Sequence, residues 1–256
     1  MTTPKKIAAG IVFALVTVVA SAAGAAAATS SRTQGRPTSS NGASSLHLTW
    51  LGGQSASSEA SATLEVTKMA PVPNLAFWAL DVSFSDGEQM TGVAHVGLQQ
   101  IDGGTAVNWG GYDANGVVMP TRSDLPTLRS YSGTHAYSWS TDVRYRLRVF
   151  REDNGWWGAD VTDLATRTTT KIGSVLGGGD RLMDPRVWTE SFAPCETTSR
   201  ARWSELRPTP TEVQVSYQSF DDGGCTNTDA QADGTAFLQR SGVTRRTAPF
   251  VTFRVR

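Results

Sequence analysis

Within RVWTESF, at residues 186–192, a carboxylate stands between two aromatic residues at strand spacing. Trp188, Glu190 and Phe192 share one face of an extended strand, and Val187, Thr189 and Ser191 take the other. An acid flanked by aromatic rings suits a sugar. The rings stack on the apolar face of a pyranose and the carboxylate accepts its hydroxyls. His95, Gln99, Asn108, Tyr112 and Asp113 could line the same groove, if their strands lie beside this one. Trp156 is a second outward platform. The blander arrangement buries Trp188 and Phe192 in the core and pairs Glu190 with Arg186 or Arg202.

Other residue types point to structure more than to chemistry. Cys195 and Cys225 each follow a strand end in a polar turn, APCETTS and DDGGCTN. In an exported chain they are expected to form a disulfide closing a loop of about thirty residues, a stabilisation of roughly 3–4 kcal/mol. His47, His95 and His135 are the only histidines and lack the close pair spacing of a zinc site. Gly177-Gly178-Gly179-Asp180 has no following Lys-Ser/Thr, so it reads as a turn and not a phosphate loop. Asp221-Asp222-Gly223-Gly224 shares only composition with a calcium loop, lacking its alternating ligands. No metal or cofactor is expected.

The elements that must hold these residues are strands. In VRYRLRVFREDNGWWGADVTDLATRTTTKIGSV, residues 143–175, Tyr145, Leu147 and Val149 alternate with Arg144, Arg146 and Arg148. Apolar residues meet apolar ones across the hairpin only with a three-residue loop, Asp153-Asn154-Gly155, with Gly155 left-handed. That register sets Val149 against Ala159, Leu147 against Val161 and Arg148 against Asp160. A third, Thr-rich strand follows at about 168–174. Similar alternation occurs at Leu46, Leu48 and Trp50, at Trp78, Leu80, Val82 and Phe84, and at Ala94, Val96 and Leu98. Residues 120–142 are poorer in pattern, and later strands are expected near 186–192, 200–207, 212–220 and 249–255. No window shows a helical stripe. Short strands between turns predict an all-β, jelly-roll-like antiparallel β-sandwich.

Lys5 and Lys6 precede an apolar run and Ala26-Ala27-Ala28, the pattern of a cleaved export signal over residues 1–28. Residues 29–45, rich in Ser, Thr and Gly, read as a disordered linker. Residues 46–256 then form one domain, secreted and with no further membrane span. Removing the signal takes away two lysines and no acid. Of the 23 basic and 23 acidic side chains, 21 and 23 remain, a net of −2. That balance argues against nucleic acid as a partner.

The order VGLQQI, NWGGYD, YRLRVFREDNGWWGADVTDLAT and RVWTESFAPCE resembles uncharacterised secreted bacterial domains similar to concanavalin-type sandwiches of the lectin/glucanase class. The likeness spans roughly residues 75–207. It implies the fold and export, and carbohydrate by analogy of fold. It supplies no catalytic residues. The expected function is a non-catalytic protein that binds carbohydrate or cell-envelope glycan. The alternatives are a glycoside hydrolase or polysaccharide lyase with Glu190 as its acid, or a structural envelope protein that binds another protein.

Overall fold

The computed structural model describes residues 44–52, 57–71, 75–87, 89–128, 132–194, 197–219 and 228–255. The expected signal, most of the linker and both cysteines of the expected Cys195–Cys225 bond lie outside these residues. The described chain is all β, as the alternation requires, and holds no helix.

Sixteen strands follow in order: Ser44–Leu51 (β1), Glu59–Lys68 (β2), Ala76–Asp86 (β3), Gln89–Ile101 (β4), Gly104–Asp113 (β5), Thr121–Arg122 (β6), Thr134–Ala136 (β7) and Arg144–Arg151 (β8). Then come Trp156–Asp163 (β9), Thr168–Leu176 (β10), Arg181–Ser191 (β11), Ser199–Arg207 (β12), Glu212–Ser219 (β13), Thr228–Asp233 (β14), Ala236–Ser241 (β15) and Thr252–Arg254 (β16). They form two eight-stranded antiparallel sheets. The first runs β16-β13-β1-β11-β3-β4-β5-β7 and the second β14-β15-β12-β2-β8-β9-β10-β6.

The hairpin of β8 and β9 has the register that its side chains dictate, pairing Val149 with Ala159, Leu147 with Val161 and Arg148 with Asp160. Gly155 is left-handed at φ 76°, and Asn154 joins it at φ 57°, a region that Asn enters more readily than most residues. β1 begins at Ser44, two residues before the first large apolar side chain, because ladder pairing needs only backbone groups. The hairpin of β14 and β15 has no counterpart among the expected strands. Gln231, Ala232 and Asp233 are exposed, so this edge lacks an apolar stripe to read.

Between the sheets lies a core that includes Trp50, Trp78, Trp109, Trp157, Trp203 and Phe84. Among the polar groups buried with them is Gln239, 0% exposed. Gln239 on β15 accepts the Trp203 indole N–H at 2.7 Å and the Thr189 hydroxyl, and donates to the Leu46 carbonyl at 3.1 Å. It thereby ties the second sheet to β1 and β11 of the first, with its amide satisfied at both ends.

Candidate functional site

Strand parity turns the odd or even residues of each strand away from the core, and on the first sheet these residues form continuous rows. One row reads Ser45, Glu190, Phe77, Gln99 and Ala106 across β1, β11, β3, β4 and β5. The next reads His47, Trp188, Ala79, Gly97 and Asn108. The third reads Thr49, Arg186, Asp81, His95 and Gly110. Glu190, His95, Gln99 and Asn108 are thus brought together on one outer face, with Tyr112 one row further along opposite Val93.

Two expected members lie elsewhere. Asp113 falls on the opposite parity and caps a turn, its carboxylate accepting the N–H groups of Asn115 at 2.9 Å and Val117 at 2.8 Å. Trp156 belongs to the second sheet, where the Arg122 guanidinium stands 3.8 Å over its ring.

Trp188 faces away from the main core, yet it is 2 % exposed. With Phe77 and Ala79 it forms a small separate apolar cluster. Its ring stacks on His47 at 5.7 Å and meets Phe77 at 5.8 Å and His95 at 5.3 Å. Phe192, beyond the strand end, is exposed, and Glu190 is half-buried. Arg186 and Arg202, the cations expected to meet Glu190, pair with Asp81 and Asp233.

The polar residues of this face form a directional chain. Asn108 Nδ2 donates to the Ser132 carbonyl at 2.8 Å, which can only accept, and this fixes the Asn108 amide. Asn108 Oδ1 is then the acceptor toward His95 Nε2 at 2.7 Å, so the proton lies on Nε2 and the Nδ1 lone pair is free of it. Asn108 Nδ2 also donates to Thr134 Oγ1 at 3.0 Å, leaving that hydroxyl's hydrogen for Gln99 Oε1 at 2.9 Å. The Gln99 carboxamide is therefore held with its NH2 as the remaining donor. Thr134 and Ser132 come from the irregular segment between β6 and β8, and no sequence pattern marks them. Only the hydroxyl of a short edge strand, β7, could have hinted at Thr134.

Burial lowers the pKa of His95 against the opposing pull of Asn108 and Asp81, so the ring is held neutral. His47, bonded through Nε2 to Ser45 Oγ at 2.8 Å, is pushed down to about 3 by burial and then by Arg186. Burial raises the pKa of Asp81, with Arg186 and His95 opposing. Among the described residues no group of three or more His, Cys, Asp or Glu could hold a metal ion.

The floor of the site is set by a glycine. A Cβ on Gly97 would lie 2.5 Å from Phe77 Cε2, so the Phe77 ring rests on Gly97, in the second row. That tilt takes the ring out of the row in which Glu190 and Gln99 stand. Over Gly110, beside His95, nothing lies within 4 Å of a Cβ position.

No protein-family model and no curated protein matches the chain. Among solved structures the chain is similar to scytalido-glutamic peptidase with a transition-state analog inhibitor, at 15% identity and a TM-score of 0.45, covering 77% of this chain and 97% of that one. It is similar also to SCP-B, a member of the eqolisin family of peptidases in complex with the tripeptide Ala-Ile-His, at 15% identity and TM-score 0.43 over the same shares. The expectation of a non-catalytic carbohydrate- or glycan-binding protein is corrected here. Trp188, the stacking platform that reading needed, is buried and closed off by His47, Phe77 and His95.

Proposed function

We propose that the domain is a hydrolase that cleaves an acyl bond, peptide or ester, on the outer face of the first sheet. The observation that supports it most is the chain from Ser132 through Asn108 and Thr134 to Gln99, which orients one carboxamide as a fixed donor. Preorganised neutral donors are what a tetrahedral oxyanion requires.

Glu190 and Gln99 stand in one row on either side of β3, a Cα separation of about 9.5 Å from two strand spacings. That gap accommodates a water and a carbonyl. Glu190 takes a proton from the water, whose oxygen attacks the carbonyl carbon. The Gln99 NH2 donates to the oxygen that becomes negative. Collapse of the intermediate breaks the bond to the leaving group, and protonated Glu190 returns its proton there.

Hydrolysis of a glycoside by paired carboxyls would need a second acid about 5–9.5 Å from the first. The other carboxyl on these rows is Asp81, four residues along the adjacent strand and so about 14 Å away by strand geometry. It is also held by Arg186. This favours acyl over glycosidic chemistry. The concanavalin-type resemblance bears on the scaffold alone.

The test is hydrolysis of denatured casein and of p-nitrophenyl acetate by the purified protein. Glu190→Gln is expected to abolish turnover, and Gln99→Leu to lower kcat by about 10²–10³ with KM little changed. No turnover by the wild type, or undiminished turnover in Glu190→Gln, overturns the reading.

A further inference from the structure

On the opposite side of the molecule, the outer face of the second sheet carries a polar pocket rich in arginine. Its lining includes Ser61, Arg146, Arg148, Thr162, Thr169 and Arg207, together with three carboxylates. Each carboxylate is already engaged by another group. Asp160 accepts two hydrogen bonds from Arg148, at 3.0 and 2.7 Å, and Glu59 takes the Nη1 of the same guanidinium at 3.0 Å. Glu205 accepts the Thr63 hydroxyl at 2.8 Å on one oxygen and Arg144 at 2.7 Å on the other. Among the described residues Arg146 and Arg207 form no direct ion pair, although Arg146 lies near enough to Glu205 to help Thr63 and Arg144 hold its carboxyl below the ordinary value. Arg207 is steadied by the Leu206 carbonyl at 3.0 Å and the Thr209 hydroxyl at 2.8 Å, neither of which neutralises it.

The backbone is bent to bring Arg207 here. Register slips between Ser204 and Arg207, and Glu205 sits at φ 52°, an unfavourable conformation for a residue other than glycine. Before the bulge Ala201 and Trp203 face the core, and after it Leu206 does. Without the extra residue Arg207 would take the inward parity. A strained bulge that moves a cation onto a face already bearing Arg146 and Arg148 is a feature with a local cost. The hydroxyls around it can donate as well. Thr162 and Thr169 bond to each other at 2.9 Å, which uses one of their two hydrogens and leaves the other.

We propose that this pocket binds a tetrahedral oxyanion, phosphate or sulfate, between Arg146 and Arg207 with a hydroxyl of the Thr162–Thr169 pair completing its shell. Planar guanidinium forks and hydroxyl donors match such oxygens, and the acids nearby are already occupied by Arg144 and Arg148. The site is separate from the Glu190 face and does not depend on it.

The test is calorimetric titration of the purified protein with inorganic phosphate and, separately, inorganic sulfate, at fixed ionic strength with acetate as the control anion. Saturable binding of one or both tetrahedral anions is expected, with none for acetate. Arg146→Gln and Arg207→Gln should each weaken it by about tenfold, the effect of one charge-assisted contact. Arg200→Gln, a cation of the same sheet outside the pocket, should leave it unchanged. Thermal melting of each variant without added anion confirms that it is folded. Absence of saturable binding in the wild type, or equal weakening in all three variants, overturns the proposal. Weakening in only one of the two pocket variants overturns the two-cation arrangement.

Discussion

Asp81 Oδ2 and Arg186 Nε stand 2.5 Å apart on neighbouring strands, the carboxylate side chain 4% exposed and the guanidinium side chain 33%. They anchor the third row of the outer face and sit beside His95. Removing one partner of a buried pair strands the other charge, at a cost of about 3–5 kcal/mol. Arg186→Met is therefore expected to lower the melting temperature. Burial already holds the Asp81 pKa above its ordinary value, and loss of Arg186 raises it further. A raised carboxyl favours the fold at low pH, and that contribution is lost as pH rises through the folded pKa. The variant should accordingly lose more stability at pH 8 than at pH 5. Equal losses at both would show that Asp81 does not set the penalty.

His47 produces the opposite pH dependence. Its folded pKa is about 3 against an ordinary 6.5, owing first to burial and then to Arg186. The unfolded chain takes up the proton first, so stability is complete above about pH 6.5 and declines as pH falls toward 3. Melting curves across that window should fall less steeply for His47→Gln than for the wild type. Parallel curves would rule out His47 as a source of the acid lability.

Thr134 acts on the proposed chemistry only through Gln99. Thr134→Val removes the hydroxyl that holds the Gln99 oxygen and lets the carboxamide turn. On the reading of the site as an acyl hydrolase, kcat should fall about tenfold with KM unchanged, less than deletion of the donor itself. Thr134→Ser should restore it. Failure of serine to rescue would show that the methyl group, and not the hydroxyl, matters.

Two glycines on the same face make a matched pair. A Cβ at Gly97 meets Phe77 and the Trp78 carbonyl at 2.5 Å and Ala79 at 2.7 Å, so Gly97→Ala should cost about 1–3 kcal/mol. A Cβ at Gly110 meets nothing within 4 Å, and Gly110→Ala should change stability by no more than about 0.5 kcal/mol. Chemical denaturation of the two variants checks both. A Gly97→Ala protein as stable as the wild type would mean that the Phe77 ring is free to move off its floor.

The meander was legible because its side chains and its turn constrain each other. Arg148 opposite Asp160 follows from period two and a three-residue loop, and nothing distant is needed. Parity likewise assigns Glu190, His95, Gln99 and Asn108 each to a face of its own strand. Which strands adjoin is a different matter. β11 lies between β1 and β3, more than a hundred residues earlier in the chain, so the neighbours of Glu190 are Ser45 and Phe77. No local pattern encodes that adjacency. The bulge of β12 is equally silent, since Ser204, Glu205, Leu206 and Arg207 read as ordinary alternation until the backbone slips. Strand parity alone leaves Trp188 open as core or platform. Its actual position, buried on the outer face by two histidines and Phe77, needed the rows to be assembled first.

Gln239 acquires a further meaning once the rows are in place. The Thr189 whose hydroxyl it accepts lies between Trp188 and Glu190, pointing inward where they point outward. A side chain on one layer of the sandwich thus indexes, from behind, the strand that carries the carboxylate on the other. The two layers cannot slide past each other without breaking the amide's bonds to Leu46 and Thr189 together, while Trp203 of its own sheet holds the amide in place. The distance of Glu190 from its row neighbours is therefore gauged against the interior of the protein. A substitution at position 239, remote from solvent and from any ligand, would be felt as a misalignment of the outer surface.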